Sequence, residues 1–566
     1  MTLTGWLQAI IIFAVLVACT KPLGTYMFAV FTGERTWLTP LFAPVERLLY
    51  RIAGVRADEA MDWRGYTLAM LGFSLVGFAY LYALLLTQGW LPLNPQHFPN
   101  LSPGLAWNTA ISFLTNTNWQ YYSGESTMSY LSQMAGLAWH NFVSAGVGIA
   151  IAVAVIRGFA AKGIATLGNF WVDLTRACLY ILLPIAALAA IVLAAQGVPQ
   201  NFNAYRTVTT LAGGKQTITG GPMASQEAIK ELGTNGGGFV NANSASPNEN
   251  PTPISNALEI LLILLIAAGL TYTYGKMVGD TRQGWAIFTA MFALFWVGFA
   301  IIYHAEAAGN PLLHHLAVRG GNMEGKETRF GIAGSSLFTA ATTGTSTGAV
   351  NASIDSFMPI GGLVALLNLQ LGEIAPGGVG SGLYAMLEFV VLTVFIAGLM
   401  VGRTPELLGK KIERREVQLA ILAILVTPIF VLIPTAIAAL LPAGSSTLGN
   451  AGPHGFSEIL YAFSSSNANN GSAFAGLGGD RFYYIATGIS MFFGRFFVAI
   501  PMLALAGSLA GKRPVAAGAG TFSTASPTFI LLLLGTILIV GALTFLPADA
   551  LGPIADHYLL HAGRTF

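Results

Sequence analysis

The sequence predicts an all-α polytopic membrane protein: ten transmembrane helices, in which four pseudo-symmetric helix-pore loop-helix repeats surround a central filter. Three observations point there. The 566 residues are 54% hydrophobic and only 9% charged, with a mean hydropathy of +0.64, whereas an ordinary soluble domain carries about 25% charged residues. Ten apolar intervals approach the roughly 20 residues needed to cross a ~30 Å hydrocarbon core. Four polar, mostly glycine-bearing strings recur between alternate pairs of those intervals. A net charge of +2 without a basic patch excludes nucleic acid as a partner and leaves membrane lipid as the main solvent.

The intervals run Leu7 to Cys19, Thr67 to Thr87, Ala135 to Val155, Cys178 to Gln196, Ile260 to Tyr274, Gln283 to His304, Phe357 to Val401, Val417 to Leu441, Phe482 to Leu509 and Pro527 to Leu546. The first has no Lys or Arg before it and no small-residue cleavage site after it, so it reads as a span and not as a signal peptide. The seventh is too long for one helix. Ala375-Pro-Gly-Gly-Val-Gly-Ser-Gly382 breaks it into two half-helices, a break tolerated only where it is buried in protein or lines a cavity. The two cysteines, Cys19 and Cys178, lie far apart in or beside apolar runs and support neither a disulfide framework nor a metal site.

Most of the 27 Lys+Arg fall in the connections after spans one, three, five, seven and nine. The positive-inside rule makes those connections cytoplasmic and places both termini outside. The resulting organisation is an extra N-terminal span in 1–30, pore repeats in 65–157, 175–276, 283–403 and 416–511, and a C-terminal span in 521–547, the third repeat holding the broken helix.

Each repeat has, on the outer side, a short helix-like stretch followed by a string. The stretches are Trp107 to Thr115, Ser225 to Leu232, Ile332 to Thr343 and Phe456 to Ser465. The strings are Asn116-Thr117-Asn118-Trp119-Gln120, Gly233-Thr234-Asn235-Gly236-Gly237, Gly344-Thr345-Ser346-Thr347-Gly348 and Asn467-Ala468-Asn469-Asn470-Gly471. In this alignment the last column is Gln, Gly, Gly, Gly, so Gln120 stands where the others have glycine and is expected to line the outer entry. Stretches of this length reach at most ~18 Å at 1.5 Å per residue, too short to cross. They read as re-entrant helices that hand the chain to an extended return segment. Four return segments around one axis would present rings of backbone carbonyls, with Thr and Ser hydroxyls, to a central path. Such rings replace the hydration shell of a weakly hydrated monovalent cation. The strings contain no acidic residue or histidine, which argues against a divalent ion.

Further motifs carry a family likeness: Lys21-Pro-Leu-Gly24, Pro92-Leu-Asn-Pro95, Ser129-Tyr-Leu-Ser-Gln-Met-Ala-Gly136, Ser225-Gln-Glu-Ala-Ile-Lys230, Asn322-Met-Glu-Gly-Lys326, Gly377-Gly-Val-Gly-Ser-Gly-Leu-Tyr384 and Gly402-Arg-Thr-Pro-Glu406. In this order, with the four strings, the chain resembles the family of potassium-binding A subunits of the bacterial Kdp potassium-importing ATPases, within the potassium-transporter superfamily. The resemblance implies a chain of the bacterial inner membrane that binds K⁺ from outside and delivers it through an intramembrane tunnel to a P-type ATPase B subunit, with C and small F subunits completing the complex. It implies that ATP is used by the partner and that no cofactor is bound by this chain. The residues agree, since neither a Walker A string nor an Asp-Lys-Thr-Gly phosphorylation motif is present.

Two elements are expected to control the ion path. Gly378, Gly380 and Gly382 interrupt the seventh span and read as a constriction below the filter, the bland alternative being a helix kink with packing glycines. Arg495 interrupts Ser490-Met-Phe-Phe-Gly-Arg-Phe-Phe-Val-Ala499 mid-span, where a fixed charge is functional by default. There it would repel a cation moving straight inward, the alternative being a structural arginine paired with carbonyls or with Glu373. Glu259, Glu388 and Asp173 approach the apolar layer, and His140 reads as a packed helix residue. Arg403, Lys410, Lys411, Arg414 and Arg415 read as a positive-inside cluster. Two other function classes stay open on the residues alone: an independent potassium channel or ion-coupled symporter, and a polytopic membrane enzyme, for which no catalytic constellation is evident.

Overall fold

A computed structural model describes residues 1–400, 402, 404–474, 477–515 and 523–564; Arg403 lies outside the described residues. Ten helices among the described residues are long and apolar enough to cross a membrane: Leu3–Thr32, Trp63–Trp90, Ser132–Ala160, Phe170–Gln196, Pro253–Met277, Thr281–His315, Ser381–Met400, Arg414–Leu440, Arg481–Ala510 and Pro527–His561. The chain is a multi-pass, helical membrane protein. The only strands among the described residues form two short hairpins, Arg206–Thr209 with Lys215–Ile218 and Glu406–Leu407 with Lys410–Lys411.

Local chemistry explains where the spans begin. Asp62 accepts from the Gly65 N–H, Asp480 from Tyr483 and Ser526 from Phe529, each satisfying a free amide of the first turn. Thr252 and Ser255 close a reciprocal capping box ahead of Pro253–Met277. The first span continues well beyond its apolar core and ends at Gly33, whose φ of +79° only glycine adopts cheaply.

Burial alternates along the chain. In each pair of spans flanking a string, the helix after the string is the more enclosed: 89% of its apolar window is buried against 28% before it in the first pair, 72% against 39%, 61% against 56%, and 56% against 28% in the others. The helices after the strings therefore form the inner layer, and those before them face outward. Inner helices approach one another through glycine, as lipid-embedded packing favours: Gly158 lies against the backbone of Ala506, and Gly148 lets the non-helical Val379 carbonyl approach its helix. The first span packs along Pro253–Met277, with Gly24 against Gly269 and Thr273.

The long seventh interval divides into Pro359–Gln370 and Ser381–Met400. Between them, Gly372, Glu373, Gly377 and Gly380 all have positive φ, so the chain turns repeatedly and cannot continue as a helix. The helix resumes one residue before Gly382, so that glycine belongs to the helix and not to the break.

Two charged groups sit differently from a simple solvated arrangement. Lys410 is buried, with its Nζ donating to the Gly158 carbonyl at 3.0 Å; burial, with Lys512 adding repulsion, pushes its pKa down to about 8. It joins the inter-span hairpin to an inner helix instead of extending a solvated patch. Asp173 pairs with Arg157 (Nη2 to Oδ1, 2.8 Å) and also accepts from the Tyr66 hydroxyl, while Arg157 reaches the Phe31 carbonyl. One buried carboxylate thus ties together the ends of four helices. Asp173→Ala leaves the guanidinium without its partner, so the detergent-purified protein should lose about 3–5 kcal/mol of stability. An unchanged thermal transition would show that this junction does not hold the bundle together.

Candidate ion-binding site

Four short helices, Pro103–Leu114, Met223–Leu232, Gly331–Gly344 and Gly452–Ala468, each end in one of the strings. The strings are buried and lie against one another in cyclic order. A side chain on Gly236 would run into the Thr347 carbonyl, one on Gly348 into that of Asn470, and one on Gly471 into that of Thr117. The circuit closes between the first and second strings: Gln120 Nε2 donates to the Gly238 carbonyl and the Gly238 N–H to Gln120 Oε1, both at 3.0 Å. Asn116 Nδ2 also donates to the Thr234 carbonyl at 2.8 Å.

The register differs from the one drawn on sequence. One column is left-handed in all four strings: Asn118 (φ +55°), Gly236 (+74°), Gly348 (+76°) and Gly471 (+95°); Asn116, Thr234 and Asn469, two residues earlier, are left-handed in three of the four. The residue matched to these glycines in the first string is thus Asn118, not Gln120. Asparagine tolerates this conformation better than other side-chain-bearing residues. Aligned on the backbone, the strings read Thr115-Asn116-Thr117-Asn118-Trp119, Gly233-Thr234-Asn235-Gly236-Gly237, Thr345-Ser346-Thr347-Gly348-Ala349 and Ala468-Asn469-Asn470-Gly471-Ser472. Thr115 and Thr117 share a hydroxyl contact of 2.8 Å, and Thr345 and Thr347, in the same columns, one of 2.6 Å. Gln120 instead lines the wide outer cavity.

A second set of residues, not singled out from the sequence, pins each string to its own short helix. Ser112 Oγ donates to the Trp119 carbonyl (3.0 Å), Lys230 Nζ to that of Gly237 (2.8 Å) and Thr342 Oγ1 to that of Ala349 (2.5 Å), while Ser465 Oγ accepts from the Gly471 N–H (3.0 Å). These four share one column. A hydrogen-bonding residue at a fixed distance before each string was the sequence signal for them. Other links cross between strings: Asn470 Nδ2 donates to the Thr345 carbonyl (2.7 Å) and to Glu373 Oε1 (2.8 Å), and Asn469 Nδ2 to Thr117 Oγ1 (3.0 Å). The Asn322 to Lys326 motif closes on the end of Thr281–Ala308: Lys326 Nζ and Asn322 Nδ2 both bind Glu306 Oε2, at 2.8 and 2.7 Å, while Glu306 Oε1 accepts from the Met358 N–H at the start of Pro359–Gln370.

Outside the ring is a cavity of about 710 Å³ lined by Asn118, Gln120, Gly237, Gly348 and Gly471, among others. Both polar side-chain atoms of Asn118 are buried there without a protein partner, and buried polar atoms are ordinarily paired by protein, water or an ion. On the opposite side the broken segment lies directly against the strings. The Val379 N–H donates to Thr234 Oγ1 and the Gly377 N–H to the Gly344 carbonyl, both at 2.8 Å. Gly378 abuts Ser346 Oγ, and Gly380 the Gly148 carbonyl.

Arg495 is 5% exposed and donates to the Ser144 carbonyl at 3.5 Å. Among the described residues no carboxylate lies within 4.0 Å of it, so the alternative of a direct Glu373 pair is not met. Arg495, Glu373, Ser381, Tyr384, Asn467, Ala468 and Asn469 instead line an inner cavity of about 140 Å³. His140 is packed, its two ring nitrogens facing the Gly136 and Gly77 carbonyls.

Inner helices, a cyclic set of four buried non-helical segments and a cavity on either side define a polytopic membrane protein built around a central ring of irregular backbone. The chain matches the model of the potassium-transporting ATPase A subunit family, KdpA, over residues 10–558, and it belongs to that family. It is 59% identical to a potassium-transporting ATPase potassium-binding subunit of Methylobacterium nodulans, over 100% of this chain and 99% of that protein. It is 57% identical to one of Mesorhizobium japonicum, over 100% of both. Among solved structures, the potassium transporter TrkH from Vibrio parahaemolyticus is similar with a TM-score of 0.49 and 16% identity, covering 88% of this chain and 95% of that one.

Near the N-terminus of the fourth short helix, His454 bridges two carboxylates, Nε2 to Asp355 at 2.9 Å and Nδ1 to Asp556 at 2.8 Å. Asn450 Nδ2 shares the Asp355 oxygen, and Phe474 covers the ring edge-on. Burial works against the imidazolium, but the bonds to Asp355 and Asp556 outweigh it and raise the pKa from 6.5 to about 9. The bridge's contribution to stability is therefore full below about pH 6.5 and is lost as pH rises through about 9. The thermal midpoint should exceed that of His454→Gln at pH 6, with the gap closing above pH 9. A gap independent of pH would refute the bridge.

Proposed function

We propose that this chain is the potassium-binding and selectivity subunit of an ATP-driven potassium uptake complex. It takes K⁺ from the outer side into the ring of four strings and passes it through an intramembrane tunnel to a P-type ATPase B subunit, with C and F subunits completing the assembly. The observation that carries this reading is the closed cycle of four strings sharing one left-handed position. Four equivalent backbone turns are a means by which strings without acidic residues present several carbonyls to one monovalent ion. The names of the relatives assign them potassium binding, and on this reading hydrolysis resides in the partner. On this reading the complex sits in a bacterial inner membrane with both termini of this chain outside, the sidedness that the asymmetry of Lys and Arg favours.

In this scheme Asn116, Thr117, Asn118, Thr234, Asn235, Gly236, Gly237, Thr345, Ser346, Thr347, Gly348, Ala468, Asn469, Asn470 and Gly471 build the filter, and Gln120 shapes its entry. The segment of Gly378 and Gly380, continuing into Gly382, closes the straight route inward. Its hydrogen bonds to Thr234 and Gly344 hold it against two of the four strings. Arg495 lies beside the inner cavity next to the fourth string, where its charge raises the barrier for a cation on the inward path and favours a sideways exit.

Two outcomes follow. Gly348→Asp and Gly471→Asp place a side chain against a neighbouring string's carbonyl and strain a positive φ. Each should weaken potassium affinity by about tenfold or more and reduce discrimination against sodium, with the protein still in the membrane; unaltered affinity and discrimination in both would refute the filter. Arg495→Gln should raise ATP-independent potassium flux or lower the ions moved per ATP in reconstituted complex matched for subunit content. A purely structural arginine would instead show poor assembly, and a normally assembled variant with both quantities unchanged ends the gating role.

A further inference from the structure

We propose that Lys230 is a charged clamp on the second string and that this clamp sets the ion discrimination of the ring. The inference rests on reading the ring as the filter, and deepens it by naming a positioning residue outside the strings.

Lys230 is fully buried, and its ammonium donates to the Gly237 carbonyl at 2.8 Å. The equivalent position holds a neutral hydroxyl in the other three repeats, Ser112, Thr342 and Ser465. A lysine is costly to bury, so its presence in one repeat of four needs a reason. The second string supplies one. It continues as Gly236-Gly237-Gly238, with no side chain to anchor it, whereas Trp119 is packed among Ile111, Ala462 and Met491 and Ser472 binds Tyr461. A triple glycine loses the most conformational freedom on being ordered. A charge-assisted hydrogen bond, roughly twice as strong as a neutral one, answers that need.

The surroundings are built for the same task. Glu249 Oε2 meets the ammonium at 2.5 Å, and its other oxygen accepts from the Val240 N–H at 2.7 Å. Lysine and glutamate together therefore staple the chain on both sides of Gly238. Glu227 adds a second carboxylate at 2.8 Å from the ammonium, and Ser244 Oγ donates to Glu227 at 3.0 Å. Gly236, one peptide before the clamped carbonyl, rests directly on the Thr347 carbonyl of the next string. A shift of Gly237 is thus transmitted to the contact that spaces the second and third strings, and with it to the width offered to an ion.

The test uses the purified ATPase complex. Half-saturating potassium, rubidium and sodium are measured by ion-stimulated ATP hydrolysis, together with the thermal midpoint, for Lys230→Met, Lys230→Arg and Glu249→Gln. Lys230→Met should reduce potassium-over-sodium discrimination by an order of magnitude, Lys230→Arg should retain most of it, and Glu249→Gln should fall between. An assembled Lys230→Met complex with a lower midpoint but unchanged discrimination would overturn the clamp. Should Lys230→Met fail to assemble, the ratio in Glu249→Gln decides in the same way. Gly348→Asp, run alongside, separates the two readings. If it also leaves discrimination intact, the filter itself is refuted; if it abolishes discrimination while Lys230→Met does not, only the clamp fails.

Discussion

Everything in this molecule depends on satisfying backbone that is neither helix nor sheet at the centre of an apolar bundle. A peptide group taken out of water without a partner costs several kcal/mol, and a lipid-facing irregular segment has no means of recovering it. The four return segments recover it from one another and from the short helices that deliver them. Each string has a pin to its own helix and a neighbour on each side, so moving any one disturbs all four. The alternation of burial follows directly: the helix after each string must be inside for the string to be inside, and the helix before it is left to meet lipid.

The same constraint decides where charge is allowed. Lys230, Glu249, Glu306, Lys326, Arg157 and Asp173 are buried or nearly so, and each is paired. Their pairs brace the ring or the helix ends and leave the strings themselves uncharged. A ring of neutral dipoles suits an ion that must both bind and leave, since a fixed carboxylate would hold it too tightly. Among the described residues three inner-layer groups depart from this: Arg495, a buried guanidinium with a carbonyl contact beside a cavity, and Glu259 and Glu388, whose buried carboxylates have oxygens without a hydrogen-bond partner.

The ten spans were legible in the sequence because hydrocarbon thickness imposes a length that composition alone reveals. The four strings were legible because they are polar islands in an apolar chain. Their register was not. Sequence alignment favours identical letters, and Gln120 was therefore set opposite glycine. The backbone selects by φ: the first string turns left-handed at Asn116 and Asn118, and Asn118 is the one in the column of Gly236, Gly348 and Gly471. The pins at Ser112, Lys230, Thr342 and Ser465 escaped for a related reason. Their common property is a donor or acceptor at one place on a helix, which two serines, a threonine and a lysine fulfil at positions lying ahead of the polar strings and not within them.

On the proposed reading, the break in the third repeat is what makes a pseudo-symmetric design directional. Four identical repeats around one path would leave it open from end to end, because nothing in a symmetric ring distinguishes onward from sideways. On that reading, replacing one inner helix by Pro359–Gln370, a turning segment and Ser381–Met400 puts backbone where the path would continue. That backbone needs partners, and it takes them from Thr234 and Gly344, in the second and third repeats. The obstruction is therefore secured by the strings it lies beneath, so it cannot swing away without exposing its own amides and theirs. The inner cavity lies to one side of it, against the fourth string, Glu373 and Arg495. On the proposed reading an ion leaving the ring meets a closed floor and one lateral pocket, and the asymmetry of a single repeat is enough to make a pore into a donor for a neighbouring pump.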